Sequence, residues 1–258
     1  MKRSLLAVFA VAVLAAMPPT LRAQNYGVPN EVATAARVKQ AFPQYFGSRF
    51  AFPQLEAEKF FPIGWSRSGN FAYLIEPVDE ACGCYFAKLV IQNMRTDEVL
   101  WKFEFDESDN QRKNAPKDLR SLWAKNRRLF SQKLAKHGIV ASRSVLLGKS
   151  FTFGGSSFTA ALTKQPGKNE DGEDSRVNLY SVLMTSPKLG TKTLFTSEDH
   201  TRDDYWFMLD AGMIGSVKSP YQSRVAVVAA EVWRGYEGPP HVVRLRIVGS
   251  DLTSGFKK

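Results

Sequence analysis

Cysteine and histidine are scarce in this chain, with two of the first and three of the second in 258 residues. His137, His200 and His241 lie far apart and form no His-Glu-x-x-His pair, which excludes that zinc-protease signature. Phosphate-binding glycines are missing too. Gly148-Lys149-Ser150 ends like a phosphate loop, but Arg143 occupies the place of the required upstream glycine. Gly64-Trp65-Ser66-Arg67-Ser68 lacks the closing glycine of a nucleophile elbow. The acidic run around Asn169, Asp171, Glu173 and Asp174 has Gly167 and Asn178 where an EF-hand loop needs its first and twelfth ligands. No cofactor is expected from these patterns, while a Ser-His-Asp triad, which is assembled in space, stays open.

Long apolar runs are absent as well. The longest, Leu5 to Ala16, follows Lys2 and Arg3 and precedes small and polar residues up to Ala23. About 20 apolar residues are needed to span a bilayer, so this run reads as the core of a secretory signal peptide over residues 1–23. The mature chain then begins near Gln24, with no transmembrane span, and the expected location is periplasmic or secreted. The remaining residues suffice for one large core.

Charge is present but unevenly placed. The whole chain carries +10, and without Lys2, Arg3 and Arg22 the balance is +7. Between Arg112 and Lys136 stand nine basic residues and one acid, Asp118, so the rest of the mature chain is near neutral. A local basic face attracts an anionic envelope component or an acidic protein. Export, rather than charge, argues against nucleic acid.

Strand patterns dominate from Phe61 onward. PIGWS, FAYLIEP, YFAKLVIQNMR and EVLWKFEF are rich in β-branched and aromatic residues and are separated by turn-forming groups, which predicts an antiparallel meander. Later runs bring the expectation to about eleven strands. Leu119, Leu122, Trp123, Asn126, Leu129, Phe130 and Leu134 instead recur at three- and four-residue spacing, with Pro116 before them and Gly138 after. That spacing predicts one amphipathic helix, 117–136, within an insertion spanning 112–138. A shorter helix capped by Asn30 is expected near the start, and residues 24–60 read as an N-terminal arm, irregular between Pro43 and Pro62. The fold class is mainly β, an antiparallel propeller-like or sandwich sheet with an amphipathic helix on its edge or face, in a single domain over 61–258.

Ile63-Gly64-Trp65-Ser66 with Gly69-Asn70-Phe71-Ala72-Tyr73 echoes Ile214-Gly215-Ser216-Val217 with Arg224-Val225-Ala226-Val227. The first copy resembles the strand, polar turn and strand of TolB-like and other WD40-like repeats. The run SPYQSRVAVVAAEVWRGYEGPP resembles the ending of secreted bacterial proteins of uncharacterised function. The resemblance implies an exported β-protein and no particular activity.

Three places carry candidate chemistry. Cys82-Gly83-Cys84 sits between two predicted strands, and a bend at Gly83 brings its sulfurs into bonding range. Closing so short a loop contributes only about 1.6 kcal/mol on the chain-entropy relation. A local disulfide, a redox-active pair and two soft metal donors all stay open for it, with the disulfide favoured by export. Arg120, Arg127, Arg128 and Lys136 form the water-facing side of the predicted helix. Trp233, Arg234 and Tyr236 lie in a loop of the composition that recognition sites use, although its glycines and prolines also suit a rigid connection, the reading that turn chemistry favours. The expected function is a non-catalytic exported protein that binds or scaffolds an envelope or extracellular component. The alternative is a thiol redox or metal-handling protein built on Cys82 and Cys84.

Overall fold

The protein is described by a computed structural model over residues 26–108, 115–142, 144–168, 175–198 and 207–258. It is mainly β, with half of the described residues in strands. In order, the elements are α1 (Thr34–Ala41), β1 (Leu55–Ala57), β2 (Lys59–Ser66), β3 (Asn70–Glu76), β4 (Phe86–Asn93), β5 (Val99–Asp106), α2 (Leu119–Lys136), β6 (Ile139–Ala141), β7 (Ser150–Phe153), β8 (Ser156–Lys168), β9 (Ser175–Ser186), β10 (Gly190–Thr196), β11 (Met208–Lys218), β12 (Arg224–Trp233) and β13 (His241–Asp251).

The strands form three sheets. The first has the order β5-β4-β3-β2-β6, the central β1-β13-β12-β11 and the outer β10-β9-β8-β7. Pairing is antiparallel except for β1, which runs parallel to β13.

The sequence of β12 dictates how they stack. Its apolar run has no polar alternation, so both faces must be covered. Ala226, Val228, Ala230 and Val232 meet Phe60, Trp65, Phe71 and Tyr73 of the first sheet. Val225, Val227 and Ala229 meet Phe158, Tyr180, Val182 and Met184 of the outer sheet. The far face of the first sheet is closed by Leu119, Trp123, Phe130 and Leu134 of α2. The layers therefore run α2, first sheet, central sheet, outer sheet.

The predicted meander is observed as β2 to β5, and the predicted amphipathic helix as α2, which starts at Leu119. Asp118 caps it: its Oδ1 accepts the Ser121 N–H at 2.7 Å, and Ser121 Oγ accepts the Asp118 N–H at 3.3 Å. Gly138, at φ +66°, ends it.

The N-terminal expectations need correction. Asn30 does not cap α1, which begins at Thr34 after Ala33 with no side-chain cap, because the chain before it is tied to β2, the Val32 N–H donating to Phe60 O at 3.0 Å. The stretch from Pro43 to Pro62 is only partly irregular. It contains a short 3-10 helix, Pro43–Tyr45, and β1, and β2 begins at Lys59. Three-residue strands such as β1 and β6 carry too little periodicity to be read from sequence, so the described residues hold thirteen strands rather than about eleven.

The two similar sequence stretches occupy matching places. Ile63 is the extra residue of a bulge between β2 and β3, and Ile214 is the extra residue of one between β11 and β12. The next residue is glycine in both, and each glycine receives a crossing backbone. A Cβ at Gly64 would overlap Val140 O, and one at Gly215 would overlap Leu147 O. The crossing backbones are β6 on the first hairpin and Leu147, through its bridge to Ser216, on the second. Their turns also touch, since Gln222 Nε2 donates to Arg67 O and the Arg67 guanidinium lies over the Tyr221 ring.

Gly64→Ala and Gly215→Ala are each expected to lower stability by about 2 kcal/mol or more in urea denaturation. Gly27→Ala, where a Cβ meets open space, is expected to change it by under about 0.5 kcal/mol. A neutral Gly64→Ala would contradict the close strand approach.

Candidate functional site

The β3–β4 connection is organised by one carboxylate. Asp79 accepts backbone N–H bonds from Ala81 and Cys82 at 3.1 Å through Oδ1 and from Cys84 at 2.8 Å through Oδ2. Burial pushes the Asp79 carboxyl up, but these donors and the Gly83 N–H outweigh it and hold it below the usual carboxylate range. Gly83, at φ +65°, supplies the bend that an L side chain would resist. The result is a Cys82–Cys84 disulfide with Cα atoms 5.1 Å apart. Cys82 is exposed and Cys84 half-buried.

The charge around this pair has one sign close by. Asp79 Oδ1 lies 3.7 Å from Cys82 Sγ, and Glu80 follows next in the chain. A cleft of about 620 Å³ beside the disulfide is lined by Asp79, Glu80, Glu104 and Asp106, with Lys88 as its cation. Reactive cysteines sit in electropositive surroundings that stabilise the thiolate; these surroundings do the opposite.

The loop after β12 comes to the same end of the molecule. Glu80 Oε1 accepts the Tyr236 N–H at 3.2 Å, and a cleft of about 170 Å³ separates Asp79 and Glu80 from Pro239 and Pro240. The structure thus brings together Glu80 and Tyr236, 156 residues apart in sequence. Within this loop the three candidates diverge. Tyr236 is 59% exposed. Trp233 is half-buried, its Nε1 donating to Glu231 Oε2 at 3.1 Å beneath the Arg244 guanidinium. Arg234 is half-buried over the Phe207 ring. Trp233 and Arg234 therefore serve the scaffold, and Tyr236 alone of the three offers its side chain substantially to solvent.

The cations of α2 form a separate surface. Arg120, Arg127, Arg128 and Lys136 are exposed, as is Lys125, while Lys133 lies over the Trp101 ring. The helix contains no Asp or Glu. Its apolar side is fixed by Phe130 against Phe103, ring centroids 5.0 Å apart, and by Trp123 Nε1, which donates to Tyr26 O at 3.0 Å. His137 follows at the C-cap, its pKa lowered by burial and by Lys136 and Lys133.

Sequence reasoning missed the buried acids Glu231 and Glu58, and also Glu107, whose Oε2 accepts the Tyr85 N–H at 2.9 Å. Glu231 Oε1 accepts the Tyr180 hydroxyl at 2.5 Å and Arg246 Nε at 3.2 Å. Burial first, then the Glu231 charge, raises the Tyr180 pKa. The available signal was a lone glutamate inside the apolar run VAVVAAEVW. Glu58, between β1 and β2, accepts the Leu245 N–H at 2.6 Å, and burial pushes its pKa up to about 7. Nothing in its local sequence marks it.

A larger cleft, about 840 Å³, lies elsewhere, between Tyr26 to Ala33 on one side and Ala141, Ser142 and Ser144 to Leu146 on the other, with Glu31 and Arg37 as its charged lining. Among the described residues no group of three or more His, Cys, Asp or Glu could hold a metal; His200 and the acidic run at 169–174 lie outside them. No helix there is long and apolar enough to cross a membrane. No family model matches the sequence, and no match emerges among curated proteins or solved structures.

Asp79→Ala removes both the backbone clamp and the nearby negative charge that repels an attacking thiolate. The disulfide is expected to be reduced by dithiothreitol at least about three times faster in that variant than in the wild type, as followed by thiol alkylation and mass spectrometry. An unchanged rate would show that Asp79 protects nothing.

Proposed function

We propose that this chain is an exported, non-catalytic β-protein that binds an anionic envelope or extracellular component through the exposed face of α2. The observation that carries this reading is the sign of that face. Six cations and no carboxylate occupy the 18 residues of α2. A helix that needs only a solvated side is better served by alternating signs, because like charges on neighbouring turns, as at Lys125/Arg128 and Lys133/Lys136 here, destabilise it. Here the apolar stripe holds the cations in place against that repulsion, so their field adds up on one side of the molecule.

The signal-peptide reading of residues 1–23 supports a periplasmic or secreted location, where anionic lipid headgroups, acidic polysaccharides and acidic proteins are all found. In this reading the matching bulged hairpins around Gly64 and Gly215 act as scaffold. The redox alternative at Cys82 and Cys84 is weaker because the nearest charges are Asp79 and Glu80, which disfavour a thiolate.

The test is charge reversal on the exposed face. Arg127→Glu with Arg128→Glu is expected to weaken binding to vesicles containing phosphatidylglycerol or to an acidic polysaccharide by more than about ten-fold at low salt. Wild-type binding is expected to fall as salt rises. Unchanged binding and unchanged envelope fractionation of the double variant would refute the proposal.

A further inference from the structure

The edges of the three sheets are not equally protected. β1 and β6 are three residues long and β7 four. β11 is bridged at Ser216 by Leu147, and β10 at Thr191 by Lys257. β5 is different: eight residues at the end of the first sheet, paired with β4 on one side, and the described residues place no strand on its other side.

What this edge displays is self-complementary. From Trp101 to Phe105 the side chains alternate, with Trp101, Phe103 and Phe105 half-buried. Trp101 and Phe103 pack on Phe130 of α2, and Phe105 packs on Tyr85. On the opposite face Lys102 and Glu104 are 51% and 48% exposed and lie 3.1 Å apart. Charged residues on an edge strand usually discourage pairing with another strand. In this strand they discourage every close register but one.

We propose that β5 pairs antiparallel with β5 of a second copy of this chain, across a two-fold axis at Phe103. That register sets Lys102 opposite Glu104 of the other copy twice over, Phe103 opposite Phe103, and Trp101 opposite Phe105. A shift of two residues one way sets Lys102 against Lys102, and the other way Glu104 against Glu104, both unfavourable. A one-residue shift would face aromatic side chains with charged ones on opposite sides of the pleat. The pairing closes as an isologous dimer and joins two five-stranded sheets into one. It covers the half-exposed aromatic edge and places both α2 helices on the same face of the joined sheet.

Sedimentation velocity at concentrations up to about 200 µM tests this, with variants chosen at exposed positions that leave the core untouched. The wild type is expected to move from monomer toward dimer as concentration rises. Glu104→Lys and Lys102→Glu are each expected to raise the dimer dissociation constant about ten-fold or more, since each turns two opposite-charge pairs into like-charge pairs. The double variant K102E/E104K is expected to return to within about three-fold of the wild type. An equimolar mixture of the two single variants, which carries only opposite charges across the axis, is expected to form a mixed dimer. A wild type that stays monomeric, a dimer indifferent to the single variants, or a double variant that fails to recover would overturn the proposal.

Discussion

Everything in this fold depends on the double burial of β12. A strand without polar alternation has no face to give to water, so both of its faces must be covered, here by a sheet on each side. A fully buried valine contributes about 1.5–3 kcal/mol, and Val225, Val227, Val228 and Val232 are all buried to within a fraction of a percent. Three alanines, Ala226, Ala229 and Ala230, make room between them for Phe71, Tyr73, Tyr180 and Met184 from the flanking sheets. The surfaces the described residues leave open to a partner therefore lie at the periphery, among them the α2 face, the β5 edge, and the end where the disulfide loop meets the loop after β12.

Charge follows the same division. Inside the stack acids occur only with donors in place, as at Glu231 with Tyr180, Trp233 and Arg246, and at Glu58 with the Leu245 amide. Leaving either without a partner would incur the full cost of desolvating a carboxylate. Outside the stack, α2 gathers cations of one sign. The disulfide loop gathers carboxylates and uses one of them, Asp79, to hold its own backbone. These two exposed surfaces therefore favour ligands of opposite charge, and the reading of α2 as an anion-binding face does not extend to the cysteine end.

The elements legible in the sequence were those whose pattern is local. The α2 stripe, the β2–β5 meander and the Cys82–Cys84 pairing all follow from spacing, turn chemistry or glycine freedom within a few residues. The resemblance between the stretches at Ile63 and Ile214 was visible, but its meaning was not. Only in three dimensions do Gly64 and Gly215 prove to be places where another backbone crosses. Trp233 and Arg234 sit in a loop whose composition suits both recognition and a rigid connection, and local sequence leaves the two open. Their partners, Glu231 and Phe207, are set by the packing of the central sheet rather than by neighbouring sequence. Glu58 and β1 were illegible for the same reason, since both depend on β13, almost 190 residues later.

Native-state hydrogen exchange tests most directly whether the central sheet holds the whole stack together. The amides of Val225 to Val232 are expected to exchange only by global unfolding, at the same free energy as the best-protected amides of β3 and β9. If β12 exchanged by local opening while β3 and β9 stayed protected, the stack would not depend on it and the account would be wrong.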